Sequence, residues 1–527
     1  MSTVENHVQT ESLFSLKQNL LRSPYPLYDY WRQLGPIVFL KEYDIYVVTR
    51  QDLIKSINRN PTIFSNQNPL GPSSKDAAAA YSAALKNRDS DFIERAMTVL
   101  ARGNVLFTAD PPEHTRHRRL LNGALKRSAI EKFRTEIDSI SKTLITNLPK
   151  KKTFNIIESL TVPVPIRCLA RLLDVPADRD SDFYRWASAI NSTIGNFMPP
   201  EKVKKVIDDQ MDFWSFFEHE LQAREGVITE DLLTAIANAE STEDAPLQLS
   251  EKVGFCAQLI GAGADTTTKL LGFSILMLAQ NPDLQKVLRN DRTMVEPFLE
   301  EMLRLEPPVQ GMFRVAMQDT SIENMFIPKG ADLWLLYAAA NRDENHFSCP
   351  HQIDIHRKSP SEHLSFGSGP HVCIGANLAR EVAQSAVHEL LEQTENIICD
   401  KNYEELNVKK ILKEINIISY DKIYFSSFDL SSCVILKETA PDLQCGFLND
   451  DFTKFNIDET IDICKKYNFF SCGINLNLFS NSVVNQFVEN EIQVTVYADN
   501  NISKVEAHNL WNNNVTSIFI DDPTEYI

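Results

Sequence analysis

The chain has 527 residues, of which 43% are hydrophobic and 24% are charged, and its formal net charge is −18. This length and balance indicate a large globular enzyme with an appended module, and they exclude a disordered or fibrous chain. The negative charge argues against nucleic acid as the main partner and against an anionic membrane surface, because phosphate binding requires clustered Lys and Arg.

The first thirty residues lack the basic start and the apolar run of a secretory signal, and no apolar stretch approaches the roughly 20 residues that span a bilayer. The nine cysteines include no CxxC pair and show no regular spacing, which indicates free thiols in a reducing compartment. We therefore expect a cytoplasmic protein that does not interact with a membrane.

Helical patterns dominate residues 1–400. Long apolar segments with helical periodicity cover residues 251–280 and 293–305, and two short β-like segments lie at residues 35–49 and 331–339. The predicted fold of this part is therefore mainly α with small β-sheets.

The composition changes near residue 400. No arginine follows Arg380, and residues 401–527 contain ten Lys against nineteen Asp and Glu. Strand-like runs alternate there with helix-like runs, which is the βαβα pattern of a parallel sheet or of part of a β/α barrel. We expect two domains, residues 1–400 and residues 401–527, the second being an α/β partial TIM-barrel-like module.

A histidine and an arginine one helical turn apart occur in DPPEHTRHRR, residues 110–119. The spacing of His114 and Arg118 directs both side chains to one place, which suits the binding of a carboxylate. A solvated basic face is the alternative interpretation.

An acid and an alcohol interrupt the longest apolar segment, in GAGADTTT, residues 261–268. The Thr266 hydroxyl can donate a hydrogen bond to the Ala262 carbonyl four residues earlier, and Gly263 lets the helix widen there. Asp265 beside Thr266 is suited to relay protons as a general acid. The alternative, that both residues merely interrupt a buried helix, leaves polar groups unexplained in an apolar segment.

The segment FGSGPHVCIG, residues 366–375, places one cysteine among glycines directly before a predicted helix. Glycine allows positive φ and the close approach of a flat ligand, and the amides that begin the helix favour thiolate over thiol at Cys373. A thiolate is the axial ligand that pushes electron density onto haem iron. Alone, such a cysteine is most often a small buried hydrophobe. The pattern fixes five further positions: Phe366, Gly367, Gly369, His371 and Gly375.

Together and in this order, these motifs resemble those of the cytochrome P450 haem-thiolate family, in its soluble bacterial type, over about residues 15–400. The resemblance implies the cytochrome P450 fold, haem b as the cofactor and Cys373 as the ligand of the iron. It places Ala262 and Gly263 where the distal helix bends over the haem. The other haem-binding residues that it implies are Phe366, Gly367 and Gly375 around the cysteine, and His114, Arg118, Arg314 and His371 at the propionates.

The resemblance also identifies Glu301 and Arg304, in EEMLR, as the family's E-x-x-R pair. In isolation, two such residues on one helical face are almost always a surface ion pair. A third arginine downstream often completes the family's set, but Gln352 stands at the aligned position. Either the set is incomplete or Arg342 or Arg357 serves instead.

The expected reaction is that of a monooxygenase, which inserts one oxygen atom of O2 into an apolar organic substrate by hydroxylation or epoxidation, with Asp265 and Thr266 delivering protons. Two alternatives stay open: a peroxygenase driven by hydrogen peroxide, which the acid and alcohol pair disfavours, and a non-catalytic haem-binding scaffold or sensor. The regions expected to line the pocket are apolar, which indicates an apolar substrate. Their notable residues are Phe107, Ile194, Phe197, Met198 and Leu259.

Separate redox partners, a ferredoxin and its reductase, are expected as electron donors. The cysteines of the module lack the spacing of a plant-type iron–sulfur cluster, and no G-x-G-x-x-G follows a strand. Basic residues near the His114 segment either dock an acidic donor or form an exposed arginine-rich helix. They are Arg116, Arg119, Lys126 and Arg127.

The module resembles, more weakly, the C-terminal half of a glycerophosphodiester phosphodiesterase barrel. The matching pieces are SSFD (426–429), APDLQCGFLND (440–450), IQVTVYADN (492–500) and NNVTSIFIDDP (513–523). That family carries its catalytic His, Glu and Asp in the other half, so the resemblance implies a non-catalytic partial β/α barrel. A half barrel exposes sheet edges and apolar surface, which predicts a homodimer through the C-terminal module or packing on the haem domain.

Overall fold

The computed structural model describes residues 23–71, 105–399 and 424–519, apart from short gaps, together with residues 90, 93 and 97. The chain forms two compact units, Met1–Cys399 and Asp400–Ile527. The first unit is mainly helical with small sheets and the second alternates strands with helices, as the sequence predicts.

The first unit is built mainly from α-helices. In chain order, those in the described residues are α1 (Tyr25–Leu34), α2 (Gln51–Asn58), α3 (Glu113–Leu121), α4 (Arg127–Thr146), α5 (Pro163–Leu172), α6 (Asp180–Asn191), α7 (Pro200–Ala223), α8 (Leu232–Ala237), α9 (Leu249–Gln280), α10 (Pro282–Asn290), α11 (Val295–Leu305), α12 (Tyr337–Ala340) and α13 (Ala376–Gln393). The long helix α9 begins at a capping box, in which Gln248 and Glu251 satisfy each other's backbone amides.

Two small sheets complete the first unit. The strands are β1 (Ile37–Leu40), β2 (Ile45–Val48), β3 (Phe64–Ser65), β4 (Met312–Ala316), β5 (Thr320–Ile322), β6 (Met325–Ile327) and β7 (Asp332–Leu335). The larger sheet has the order β1-β2-β7-β4-β3, and β5 pairs with β6. In the larger sheet, β2 and β7 are the one parallel pair, in which Ile45 lies opposite Asp332, so the sheet joins distant parts of the chain.

Helix α9 crosses the main core of the first unit. Its residues Phe255, Ile260 and Leu271 are buried, and it packs against α5, α7 and α13. A Cβ atom added at Gly263 would lie 3.2 Å from the Cδ1 atom of Leu169 on α5. The glycine therefore permits the close approach of α5 at the level of the GAGADTTT segment.

Glu301 and Arg304 form a completely buried ion pair on α11, in which Arg304 Nε and Nη2 donate to the two carboxylate oxygens at 2.7 and 2.9 Å. Arg357 Nε donates to the same carboxylate at 2.9 Å. Arg342 instead stacks on Tyr25, with its guanidinium carbon 3.6 Å from the ring centroid. Of the two arginines left open by the sequence, Arg357 is the one that completes the set.

The second unit contains one sheet of five parallel strands. They are β8 (Tyr424–Ser427), β9 (Gln444–Asn449), β10 (Ser471–Asn475), β11 (Gln493–Tyr497) and β12 (Ser517–Ile518), separated by α14 (Leu430–Thr439), α15 (Ile457–Lys466), α16 (Asn481–Val488) and α17 (Lys504–Asn512). Each strand pairs with the next strand along the chain, in the order β8 to β12. Sequential parallel order is the arrangement of a β/α barrel, which confirms the predicted fold class.

The core of the second unit is apolar. Ile474, Val494 and Val496 of the sheet are fully buried, as are Val484 and Phe487 of α16. Within its described residues no charged side chain is buried, and the buried polar side chains are Asn449, Thr460, Ser471, Asn475 and Thr495. None of the helices in the described part of the whole chain combines the length and hydropathy that crossing a bilayer requires.

Candidate active site

The loop that carries Cys373 precedes α13. The Cys373 N–H donates to the Phe366 carbonyl at 2.8 Å, and the Gly375 N–H donates to the Cys373 sulfur. Burial raises the pKa of the Cys373 thiol, while the Gly375 amide and the charges of Arg118 and Arg380 act to lower it. The residue nevertheless stays exposed to solvent, so a ligand can reach it.

Two glycines shape this loop as the sequence predicts. Gly367 has a φ of 71° and Gly369 a φ of 70°, a region that side chains other than glycine rarely adopt. A Cβ atom at Gly369 would lie only 2.8 Å from the carbonyl oxygen of Asn58 on α2. Glycine at this position is therefore required by both the backbone angle and the close approach of α2.

His114 and His371 stack on one another, with ring centroids 3.8 Å apart. Burial, reinforced by the neighbouring charge of Arg118, lowers the pKa of His114 to about 4. Burial, reinforced by His114, Arg314 and Arg118, lowers the pKa of His371 to about 3. His114 Nδ1 and His371 Nε2 are buried and have no hydrogen-bond partner among the described residues.

Two arginines lie beside these rings. Arg118 Nη1 donates to the Val372 carbonyl at 2.8 Å. Arg314 is buried, and its Nη2 donates to Asn58 Oδ1 at 2.7 Å. Burial lowers the pKa of both guanidinium groups, and neither forms an ion pair with a carboxylate of the described residues.

This donor set fits the carboxylates of a cofactor. His114 stacks on His371, Arg118 donates to the Val372 carbonyl, and Asn58 joins Arg314 to Ser368, so the four side chains gather beside the Cys373 loop. Anionic oxygen atoms satisfy buried nitrogen atoms without partners, and they pair with guanidinium groups that have no carboxylate partner among the described residues. The propionates of haem b supply such atoms, so the residues present fit the cofactor that the sequence implies.

The acid and alcohol of α9 lie on its exposed side, next to Ala262. Thr266 Oγ1 donates to the Ala262 carbonyl at 2.6 Å, as predicted. Asp265 forms an ion pair with Lys269, whose Nζ lies 2.7 Å from Asp265 Oδ2. Sequence analysis missed Lys269, although its spacing of four residues from Asp265 is the spacing of a helical ion pair.

Only part of the predicted substrate pocket lies in the described residues. Phe107 is partly buried, and its N–H donates to Gln258 Oε1 of α9 at 3.3 Å. Leu259, the next residue of α9, is buried. The remaining predicted pocket residues lie outside the described part of the chain: Ile194, Phe197 and Met198.

Sequence analysis also missed the asparagines that hold the cradle together. Asn58 accepts from Arg314 and donates to Ser368 Oγ at 3.0 Å. Asn66 Nδ2 lies 3.3 Å from His371 Nδ1. Both come from the N-terminal part of the chain, far from the motifs, so no local spacing points to them.

The predicted donor-docking cations differ in their surroundings. Arg116 is half-buried and pairs with Glu251 of α9, and Arg119 pairs with Asp244 at 2.8 Å. The cations at residues 126–127 are exposed at the start of α4. Arg127 also forms an ion pair, with Glu131 on its own helix at 3.2 Å, so Arg116, Arg119 and Arg127 all have carboxylate partners within the unit. Lys126 and Arg127 are the two that face solvent.

Comparison with protein families gives two matches. The model of the family described as Cytochrome P450 matches residues 73–417. The model of the Glycerophosphoryl diester phosphodiesterase family matches residues 374–525. The two matches overlap around residue 400, where the two compact units meet in sequence.

Similar individual proteins are bacterial. Cytochrome P450 109 of Bacillus spizizenii is 30% identical over 393 residues, which cover 74% of this chain and 88% of the relative. Linalool 8-monooxygenase of Pseudomonas putida is 28% identical over 421 residues, covering 76% and 96%. The structure of CYP109Q5 from Chondromyces apiculatus superposes with a TM-score of 0.60 at 29% identity, covering 71% of this chain and 88% of that one.

Proposed function

Because the chain belongs to the cytochrome P450 family and is a cytochrome P450 monooxygenase with haem b as its cofactor, we propose that it inserts one oxygen atom of O2 into an apolar organic substrate by hydroxylation or epoxidation. The observation that carries the proposal is the combination of an exposed Cys373 with two buried, unpartnered histidine nitrogens and two guanidinium groups that have no carboxylate partner among the described residues. Haem iron with a thiolate ligand supplies the cleavage of the O–O bond.

In this proposal Cys373 binds the iron, and the Gly375 amide and Phe366 carbonyl fix the position of its backbone and sulfur. The cradle binds the propionates and excludes water from them, because His114 and Arg314 are buried. The glycines of the loop leave room for the flat ring. Phe366, Gly367 and Gly375 are thus the loop residues proposed to contact the cofactor, together with Ala262 and Gly263 of α9.

Asp265 and Thr266 are proposed to deliver protons. The Thr266 hydroxyl donates its hydrogen bond to the Ala262 carbonyl, which leaves its oxygen atom free to accept a hydrogen bond from a water molecule. The Asp265 carboxylate is half-exposed and paired with Lys269, which supports the proposal that it exchanges protons with solvent. This pair of groups supports the use of O2 rather than hydrogen peroxide. Reductive cleavage of the O–O bond of O2 consumes protons, which hydrogen peroxide already carries.

An apolar substrate is supported by Phe107 and Leu259 in the predicted pocket and by the relatives. One of these is named for the oxidation of linalool, a small and mainly hydrocarbon alcohol. The electrons are proposed to come from a separate ferredoxin and its reductase. Exposed cations at residues 126–127 are the surface proposed to meet that acidic donor.

The second unit is proposed to be a non-catalytic partial barrel that forms a homodimer or contacts a partner, in a cytoplasmic protein. In its described residues no charged side chain is buried, and no three potential metal ligands lie within reach of one another. Hydrolysis of a phosphodiester in this family depends on such groups, so their absence from this region supports a structural role.

The experiment compares two sources of oxygen with the purified full chain. We expect product from an apolar substrate library when O2, a surrogate ferredoxin and its reductase are supplied, and much less when hydrogen peroxide replaces them. Product with peroxide alone would make the protein a peroxygenase. Thiolate-type haem without turnover under either condition would make it a sensor or scaffold.

A further inference from the structure

A second charge pair joins α13, the helix that follows the Cys373 loop, to α11, and its arginine has a carboxylate partner. Arg380 of α13 donates through Nε and Nη2 to the two carboxylate oxygens of Glu300 on α11, at 2.6 and 2.9 Å. Glu300 is buried, and its Oε2 also lies 3.3 Å from His363 Nε2. Burial alone would raise the pKa of Glu300, but the hydrogen bonds from Arg380 and the proximity of His363 hold it at about 2. Glu300 is therefore a carboxylate at neutral pH.

Arg380 is coupled to the cysteine as well as to Glu300. Its guanidinium carbon lies 4.5 Å from the centroid of the Phe366 ring, and the Phe366 carbonyl accepts the Cys373 N–H at 2.8 Å. Arg380 therefore stacks on the residue whose carbonyl holds the backbone of the proposed iron ligand, close enough for its charge to act there. One side chain thus links a buried carboxylate, an aromatic ring of the loop and the proposed iron ligand.

Reduction of the bound haem adds one negative charge to the site. A positive charge nearby favours that change and a negative charge opposes it, by Coulomb's law. Arg380 and Glu300 therefore act in opposite directions, and their partial cancellation is set by the bidentate contact between them. For a unit charge roughly 10 Å away in an effective dielectric of about 20, each effect amounts to about tenfold in the equilibrium constant for reduction.

We propose that the Glu300–Arg380 pair sets the reduction potential of the haem held by Cys373, with Arg380 raising it and Glu300 lowering it. The proposal rests on the ligand role of Cys373 within the proposed function. Both residues act through the electrostatic field at the Cys373 sulfur, so they are positioning residues.

The test is a double-mutant cycle on the full chain loaded with haem. The measured step is the transfer of one electron from a reduced small-molecule mediator to the ferric haem, with no bond made or broken. We expect Arg380→Gln to decrease the equilibrium constant for reduction about tenfold and Glu300→Gln to increase it about tenfold. The double variant should lie close to the wild type, because it removes both charges.

Two further variants separate charge from packing. Arg380→Lys keeps the charge but loses the planar fork and the stacking on Phe366, and we expect its potential to stay near that of the wild type. Glu392→Gln removes one negative charge, as Glu300→Gln does, but from a position on α13 about 18 Å beyond Arg380. Glu392 pairs there with Arg292 at 2.9 Å. We expect this variant to change the equilibrium constant less than twofold.

The proposal would be overturned if Arg380→Gln and Glu300→Gln changed the equilibrium constant for reduction in the same direction. It would also be overturned if neither changed that constant more than Glu392→Gln does. If the equilibrium constant for reduction falls as far in Arg380→Lys as in Arg380→Gln, the effect comes from packing and the proposal is overturned too. If Arg380→Gln fails to retain haem, Glu300→Gln and Arg380→Lys still decide the matter. Loss of turnover with the expected potentials would count against the proposed reaction only, since the potential is measured without substrate or O2.

Discussion

The two units of the chain differ in what they bury. The described core of the first unit contains charged side chains, among them Glu300, Glu301, Arg304 and Arg314, whereas that of the second contains only apolar residues, cysteines and neutral polar groups. Burying a charged side chain costs free energy unless the charge is paired, and apolar residues of similar volume often fill the same space at a lower cost. Buried charge thus marks the unit in which a cofactor is held and its chemistry controlled. The described core of the second unit is stabilised by apolar burial and by hydrogen bonds between neutral groups, such as that from Asn449 to Thr460.

The sharpest contrast compares two cysteines. We expect Cys373→Ser to abolish the strongly red-shifted Soret band of the dithionite-reduced, carbon monoxide-treated protein, because serine cannot supply the thiolate. Cys472→Ser, in the buried core of the second unit, should leave that band in place. An unchanged band in Cys373→Ser would place the iron ligand elsewhere.

A second contrast concerns buried and exposed charge within the first unit. Glu301→Gln should lower the free energy of unfolding by about 3 to 5 kcal/mol, because Arg304 and Arg357 lose their buried counter-charge. Chemical denaturation followed by circular dichroism measures this. Glu392→Gln, in an exposed pair, serves as control and should change little. Equal effects of the two variants would contradict the assigned role of burial.

The independence of the second unit can be tested by a cavity in its core. Phe487→Ala removes a fully buried ring, and we expect it to destabilise this unit by about 3 kcal/mol. Denaturation should then show an earlier transition for the second unit. The Soret band with carbon monoxide should be unaltered; its loss in this variant would show that the second unit supports the haem site.

The smallest expected effect lies in the proton path. Thr266→Ala should lower product formed per electron pair roughly tenfold, with a matching rise in peroxide, because its hydroxyl is proposed to pass protons. Thr268→Ala is the matched control, since the Thr268 hydroxyl donates to the Thr161 carbonyl at 3.0 Å. Unchanged coupling in Thr266→Ala would remove the threonine from the mechanism.

Local spacing predicts what lies on one helix or in one loop. The bond from Thr266 to Ala262, the Glu301–Arg304 pair and the glycines around Cys373 all follow from it. Spacing says nothing about groups that the fold brings together from afar. Asn58, which binds Arg314 from more than two hundred residues away, is accordingly absent from the prediction, and the choice of Arg357 over Arg342 also required the structure.

The same limitation explains the pair proposed to set the potential. Glu300 precedes Glu301 in EEMLR and Arg380 follows Cys373 on α13, so each residue lies within a segment that the sequence singles out. Their contact spans eighty residues, and no helical spacing relates them. The sequence therefore identifies both segments, while the contact between them comes from the packing of α11 near α13.

The pairing of β2 with β7 has a consequence for how the chain is made. Ile45 cannot meet Asp332 until nearly 300 further residues have left the ribosome, which takes roughly 15 to 60 s at typical rates of synthesis. The strands of the second unit meet neighbours made only moments before. The larger sheet of the first unit therefore cannot form until β7 has been made, and until then the edge of β2 that faces β7 stays unpaired. The second unit needs no such late pairing and can form its sheet strand by strand during synthesis.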